Sequence, residues 1–250
     1  MIKMEPLLKI ENLTVSVCGK KVVKDVNLEI NRGEIHALFG LNGSGKTSLI
    51  QAILGNPKYK VEKGVIIFKG ENILKLPTYE RIRLGIGAAF QSPPAIKGVK
   101  LIDILKVCAR RNIKKIRSYA KELMMEDFLW RDINYGFSGG EIKRSEILQL
   151  RAQNPEILLL DEPDSGVDIV NIRIIGEVIN KILEKYKRHS ERKKSALIIT
   201  HTGSILYFVH ADRGHVMING RIACSGNPLD ILERIKEKGY GECIRCVRES

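Results

Sequence analysis

The segment Gly40–Thr47, GLNGSGKT, leaves this chain the fewest choices. It fits G-x-x-x-x-G-K-[ST], and its setting confirms the match. A short apolar run, EIHALF, leads into Gly40, and a helical pattern, KTSLIQAILG, departs from Lys46 and stops at Gly55. Strand, glycine loop and helix in that order build a cradle for anions. Gly40, Gly43 and Gly45 let the backbone curl, so that the N–H groups through Leu41, Asn42 and Ser44 turn inward at the helix N-terminus. Lys46 is placed to reach β- and γ-phosphates, the Thr47 hydroxyl to ligate Mg²⁺, and Ser48 to add a donor toward an α-phosphate. The expected ligand is a phosphate chain with Mg²⁺.

The rest of the chain supplies a sheet around that loop. LLKIENLTVSV and KDVNLEI alternate with period two, GVIIFKG reads as a strand, and residues 101–129 turn helical with many Lys and Arg. Then come a helix in SGGEIKRSEILQLRAQ, a buried strand in EILLLDE and a long amphipathic helix in VNIRIIGEVINKILEKY. A strand in SALIITH, two short strands in GHVMI and RIACSG, and a helix in PLDILERIKEKG complete the order. Strands alternating with helices predict an α/β fold with a largely parallel sheet, to which the β-rich start and the helical middle attach as lobes. Ligands of such sheets bind at the carboxyl ends of the strands. Asp161 ends EILLLDE there and can hold Mg²⁺ through water. Glu162 follows it, placed to polarise an attacking water, and His201 ends SALIITH where it can face the same γ-phosphate.

At 250 residues, 44% hydrophobic and 28% charged, the chain suits one large globular domain. No stretch approaches the roughly 18 consecutive apolar residues of a membrane span. The start, MIKMEPLLKIENLTV, lacks the apolar core of a secretory signal, which predicts a cytoplasmic protein. The formal charge of +13 suits an anionic partner. However, the basic residues of ARRNIKKIRSYAKE and EKYKRHSERKK alternate with acids or apolar positions and form no aromatic-interleaved stripe, so nucleic acid is not expected. Five cysteines make no disulfide framework in a chain of this length. Cys18, Cys108 and Cys224 read as small buried hydrophobes, whereas Cys243 and Cys246 form a C-x-x-C.

One more stretch, YGFSGGEIKR, places Ser138, Gly139 and Gly140 before a helix that opens with Glu141. An acid in the first turn favours the helix dipole. Together with Gly40–Thr47, Gln91 in AAFQSPP, ILLLDE, SGVD and THT, this stretch occurs in the order of an ABC-type ATPase, and the resemblance covers nearly the whole chain. It implies a single domain over residues 1–250: a RecA-like α/β core, a small antiparallel β-lobe, a short helical lobe at about 92–146, and a tail at about 240–250. By the same resemblance Gln91 senses Mg²⁺ and nucleotide, so that Thr47, Gln91 and Asp161 hold the metal. Glu162 resembles the catalytic base, His201 the switch histidine, and Asp168 the aspartate that crosses to a second subunit. Ser138, Gly139, Gly140 and Glu141 resemble the signature that grips ATP held by the opposite subunit. Two chains would thus sandwich two ATP molecules head-to-tail. Val17 stands where the family often has an aromatic that stacks on adenine, which implies loose nucleotide selectivity.

The wider pattern is most similar to SufC, the soluble ABC ATPase of iron–sulfur cluster assembly. The strings that carry this are AAFQSPPAIKGV, YGFSGGEIKRSEILQL with Phe137 and Glu141, DEPDSGVDI, THTGSIL, HVMINGRIACSG and EKGYGE. That resemblance implies a SufB-like scaffold partner, with or without a SufD-like one, rather than a membrane permease. An ATP-binding subunit of a membrane transporter would share every core site and differ in what docks beside Gln91. A non-catalytic assembly module is the third reading, opposed by Lys46, Glu162 and His201. In a two-fold dimer the Cys243–Cys246 tails could supply four thiolates for zinc or an Fe–S cluster. A redox dithiol and a solvated tail without a site are the other readings.

Overall fold

The computed structural model describes residues 5–109 and 113–241. Two sheets divide the strands. The first is the antiparallel lobe expected at the start: β1 (Leu8–Val17) pairs with β2 (Lys20–Ile30) on one side and with β4 (Lys60–Phe68) on the other. A short β5 (Glu71–Asn72) closes the edge beside β4. β4 is longer than GVIIFKG suggests, because Lys60, Val61 and Lys63 also pair with β1, the two lysines exposed and Val61 packed against the lobe's core.

The second sheet has six strands in the order β10-β9-β3-β8-β7-β6. Its parallel members are β3 (Ile35–Phe39), β6 (Ile86–Ala89), β7 (Ile157–Asp161), β8 (Ser195–Ile199) and β9 (Arg213–Ile218), and β10 (Arg221–Gly226) runs antiparallel at the edge. Alternation sorts the side chains of one strand into two cores. From β7, Ile157 and Leu159 pack toward the β-lobe and α1 (Lys46–Leu54), while Leu158 and Leu160 pack into the opposite core. That opposite core also takes α3 (Leu101–Cys108), α5 (Gly139–Gln153) and α6 (Ile169–Ile182).

The remaining helices are α2 (Thr78–Leu84), α4 (Ile113–Glu122) and α7 (Pro228–Lys238). The region read as a helical lobe holds α3, α4 and the first turns of α5. Residues 92–99 carry no helix, consistent with the two prolines and the glycine there. α6 stops at Ile182, short of the expected Tyr186, and Glu184 turns back with φ +57°. Of the three scattered cysteines, Cys108 and Cys224 are half-buried, but Cys18 is exposed at the β1–β2 turn with φ +47°, contrary to the expected buried hydrophobe.

Register aligns the strand ends that matter. Asp161 of β7 pairs with Ile199 of β8, and Leu38 of β3 pairs with the same Ile199. The residues just beyond these positions therefore emerge side by side: the glycine loop after β3, Glu162 after β7 and His201 after β8.

Candidate functional site: a phosphate loop at the strand ends

The loop between β3 and α1 turns through left-handed backbone at Gly43 (φ +77°) and Gly45 (φ +107°). A Cβ on Gly45 would stand 2.5 Å from the Val22 carbonyl oxygen, so no larger residue fits. The cleft above the loop, about 330 Å³, is walled by the loop, the first turn of α1, Gln91, Glu162 and Val22. Val22, from β2, occupies one wall of this cleft, and Val17 is not among the residues that line it.

Lys46 is buried and donates from Nζ to the Gly40 carbonyl at 2.8 Å and the Leu41 carbonyl at 3.0 Å. Burial pulls its pKa below that of a free lysine, and the charges of Glu162 and Asp161 oppose the shift. The Thr47 hydroxyl donates to Asp161, whose pKa is raised by burial and by the neighbouring Glu162 charge. Two buried polar atoms here lack partners: Asp161 Oδ1, and Ser44 Oγ inside the loop. A buried carboxylate oxygen without a donor suits a cation, and a hydroxyl without an acceptor suits an anionic oxygen. The residues present therefore fit Mg²⁺ at Thr47 and Asp161 with a phosphate in the loop.

Glu162 is held in left-handed backbone, φ +52°, a conformation that costs a non-glycine residue about 1–2 kcal/mol. Its N–H donates to the Ile199 carbonyl at 3.0 Å, which ties the strained residue to the end of β8. Its buried carboxylate accepts from Gln91 Nε2 at 2.7 Å and lies 3.3 Å from His201 Nδ1. The structure thus brings together Gln91, Glu162 and His201, which the sequence separates widely. The Gln91 amide lies beside the Glu162 carboxylate rather than against Asp161.

Asp164, which the sequence reading passed over, positions His201. It is buried and accepts from the Thr200 hydroxyl at 3.0 Å, the Thr202 hydroxyl at 2.8 Å and the Ile205 N–H at 3.1 Å. The signal was present in THT: two hydroxyls flank the histidine and need an acceptor. Lys143 and Glu146 were also passed over. Both are buried on α5 and contact the backbone at Phe90 and Gln91. Burial lowers the pKa of Lys143 and pushes Glu146 up to about 7.

Ser138, Gly139, Gly140 and Glu141 are not among the residues that line the cleft of their own chain. Ser138 caps α5, accepting from the Glu141 N–H at 3.4 Å, and Glu141 accepts from the Ser138 N–H at 2.7 Å. Glu141 is thereby committed to the cap. A Cβ on Gly140 would lie 2.9 Å from Asn171 Nδ2, so this helix end packs tightly on the start of α6. Asp168 caps α6, accepting from the N–H groups of Val170 and Asn171, both at 3.0 Å. The Asn171 hydrogen bonds hold the Asp168 carboxyl below the usual carboxylate range. Cys243 and Cys246 lie outside the described residues. No cluster of three or more metal-ligating side chains occurs among the described ones.

Known proteins share both the sequence and the shape. The family model described as "ABC transporter" matches residues 23–165. A protein of Cyanophora paradoxa named as a probable ATP-dependent transporter, ycf16, is 40% identical, covering 94% of this chain and 93% of its own. A Synechocystis protein also named as a probable ATP-dependent transporter is 39% identical over 94% of this chain and 95% of its own. A Streptococcus pyogenes protein named as a probable ABC transporter ATP-binding protein is 38% identical over 94% of this chain and 93% of its own. Among solved structures, a nucleotide-free ATP-binding cassette from an ABC transporter superposes with a TM-score of 0.78 at 23% identity, covering 96% of this chain and 98% of that one. The arrangement of sheet, glycine loop and flanking helices is therefore that of a P-loop NTPase fold, and by sequence the chain belongs to the ABC transporter family as an ABC ATPase domain.

Proposed function

We propose that this protein hydrolyses ATP as the paired ATPase subunit of a cytoplasmic SufB-type iron–sulfur cluster assembly complex, with a SufD-like scaffold as a further candidate partner. The observation that carries the ATPase reading is the buried, partnerless Asp161 Oδ1 beside the Thr47 hydroxyl, one residue from the buried carboxylate of Glu162. Nothing in a purely structural turn calls for that arrangement.

The roles follow from position. The loop N–H groups and the Lys46 ammonium receive the β- and γ-phosphate charge, with Ser44 Oγ as an added donor. Mg²⁺ held by Thr47 and Asp161, with Gln91 free to join them, would neutralise phosphate charge. Glu162 accepts a proton from the attacking water, and His201, 3.3 Å away, holds that carboxylate in place. Because Ser138–Gly140 is not part of its own chain's cleft, its capped helix end is free to meet the γ-phosphate in a second copy. ATP touching both halves biases the closed pair over the open one. Hydrolysis removes that bias, and the scaffold attached beside Gln91 moves with the change.

The choice of SufC-like over transporter-like rests on the resemblance in YGFSGGEIKRSEILQL, DEPDSGVDI and HVMINGRIACSG. The names of the relatives favour the other reading, an ATP-binding subunit of a membrane transporter. Purification of the native complex separates the two. A soluble SufB-like companion is expected, and an integral membrane permease would overturn the assignment.

A further inference from the structure

Three successive peptide groups around Phe90 and Gln91 are held by one helix, α5. Glu146 Oε1 accepts from the Phe90 N–H at 2.8 Å. Lys143 Nζ donates to the Phe90 carbonyl at 2.7 Å and to the Gln91 carbonyl at 2.9 Å. Both side chains project from α5 one turn apart, both are about 6% exposed, and their charged ends lie 3.8 Å from each other. Burying two charges is a costly way to pack a helix, because desolvation consumes most of the mutual attraction. An apolar pair would fill the same space. What charges supply, and apolar groups do not, is direction: one acceptor for the N–H and one donor for two carbonyls.

The contact continues to the reacting centre. Gln91 Nε2 donates to Glu162 Oε2 at 2.7 Å. At its other end, α5 begins with the Ser138 cap and the two glycines of the signature. We infer that Lys143 and Glu146 are a positioning pair for ATP hydrolysis: they fix the Phe90–Gln91 backbone to the signature helix, and so set where Gln91 meets Glu162. The inference rests on the ATPase reading above. It makes the link between signature helix and base a rigid one. Movement of α5 when two chains close is carried to Gln91 through three hydrogen bonds rather than through loop packing. Glu146 Oε2 has no hydrogen-bond partner, so one oxygen of this carboxylate is committed to the loop while the other is held only by the longer approach of Lys143.

The test uses the full chain with Glu146→Ala, Glu146→Gln and Lys143→Met, each checked for folding by circular dichroism. Steady-state ATP hydrolysis gives kcat and KM, a fluorescent ATP analogue gives affinity, and hydrogen exchange reports the Phe90 amide. Glu146→Ala should lower kcat about tenfold or more, as expected on removing a buried hydrogen bond to a charged acceptor, with ATP affinity changed by less than about threefold. Phe90 exchange should speed up in parallel. Glu146→Gln keeps an acceptor oxygen for Phe90 and should recover most of the rate and the exchange protection. Wild-type kcat in Glu146→Ala, or equal loss in Glu146→Ala and Glu146→Gln with both folded, overturns the pairing role. Should Glu146→Ala fail to fold, Lys143→Met carries the same prediction, and full activity there overturns it. A wild-type protein that hydrolyses no ATP refutes the ATPase reading instead, and Phe90 exchange then still tests the clamp.

Discussion

His36 and His215 offer a test in which the core sheet's electrostatics can be worked through to a number. They lie on adjacent strands, β3 and β9, and both are buried. His215 Nε2 is 3.0 Å from His36 Nδ1, His215 Nδ1 is 2.6 Å from the Ser225 hydroxyl, and His36 Nε2 is 3.0 Å from Glu34 Oε2. The carboxylate can only accept, so His36 Nε2 carries a proton. His215 Nε2 then donates to His36 Nδ1, and Ser225 donates to His215 Nδ1. In this arrangement every ring nitrogen has a partner with both rings neutral, the state that burial favours. Burial lowers the pKa of both, and His215 falls to about 3, with His36 and Arg213 adding repulsion. A histidine whose folded pKa is depressed contributes stability above its unfolded pKa and loses it as pH falls. With an unfolded pKa near 6.5, His215 loses about 2 kcal/mol between pH 7 and pH 5. Any folded pKa below about 4 gives the same result, because the folded ring is neutral at pH 5 either way. Glu146, pushed up to about 7, acts in the opposite sense: its folded state holds a proton that the unfolded chain releases, so it favours folding toward acid pH. The wild-type curve alone therefore mixes opposing trends, and the difference from a His215→Asn variant isolates the ring. Urea unfolding at constant ionic strength should show His215→Asn destabilised by about 3 kcal/mol at pH 8, for the broken hydrogen bonds, and by only about 1 kcal/mol at pH 5. A difference that stays constant from pH 8 to pH 5 would refute the buried neutral pair.

Glu162→Gln should cut turnover by about 100-fold or more while ATP still drives dimerisation, read by light scattering; normal hydrolysis would sink the assignment of the base. Gly45→Ala places a methyl group 2.5 Å from the Val22 carbonyl and should yield a folded chain that no longer binds a fluorescent ATP analogue. Wild-type affinity there would show that the loop geometry is not required. Ser138→Ala should cost the ATP-free chain about 1 kcal/mol through loss of the cap, and should abolish ATP-driven pairing without weakening nucleotide binding to one chain. If pairing survives, the signature does not reach the opposite nucleotide.

The phosphate loop, Asp161, Glu162 and His201 could be picked out along the chain, because each is a local pattern beside a strand end or helix start, whereas the reading of Ser138–Glu141 as a signature came from the family resemblance. Gly45 needs a left-handed turn, Lys46 begins the next helix, and Asp161 ends an apolar run. Even the capping box of Ser138 and Glu141 is a matter of three residues' spacing. The alternating apolar runs likewise announced the strands and the α/β class. Lys143, Glu146 and Asp164 gave no such sign. Each sits in an ordinary helix or turn, and its meaning lies in a carbonyl, an N–H or a hydroxyl that arrives from a distant segment. The same holds for Val22, which reaches the cleft only because β2 folds back beside β1. Asp168 and Asn171 likewise acquire their role as a seat for Gly140 from the packing of α6 against α5. Local backbone preference and side-chain chemistry are set by adjacent residues, so they can be read along the chain. Which buried polar groups meet is set by sheet register and helix packing: Asp161 stands beside Ile199, and α5 lies against the end of β6. Desolvation then obliges those groups to pair, and that pairing makes a set of separate motifs into one site.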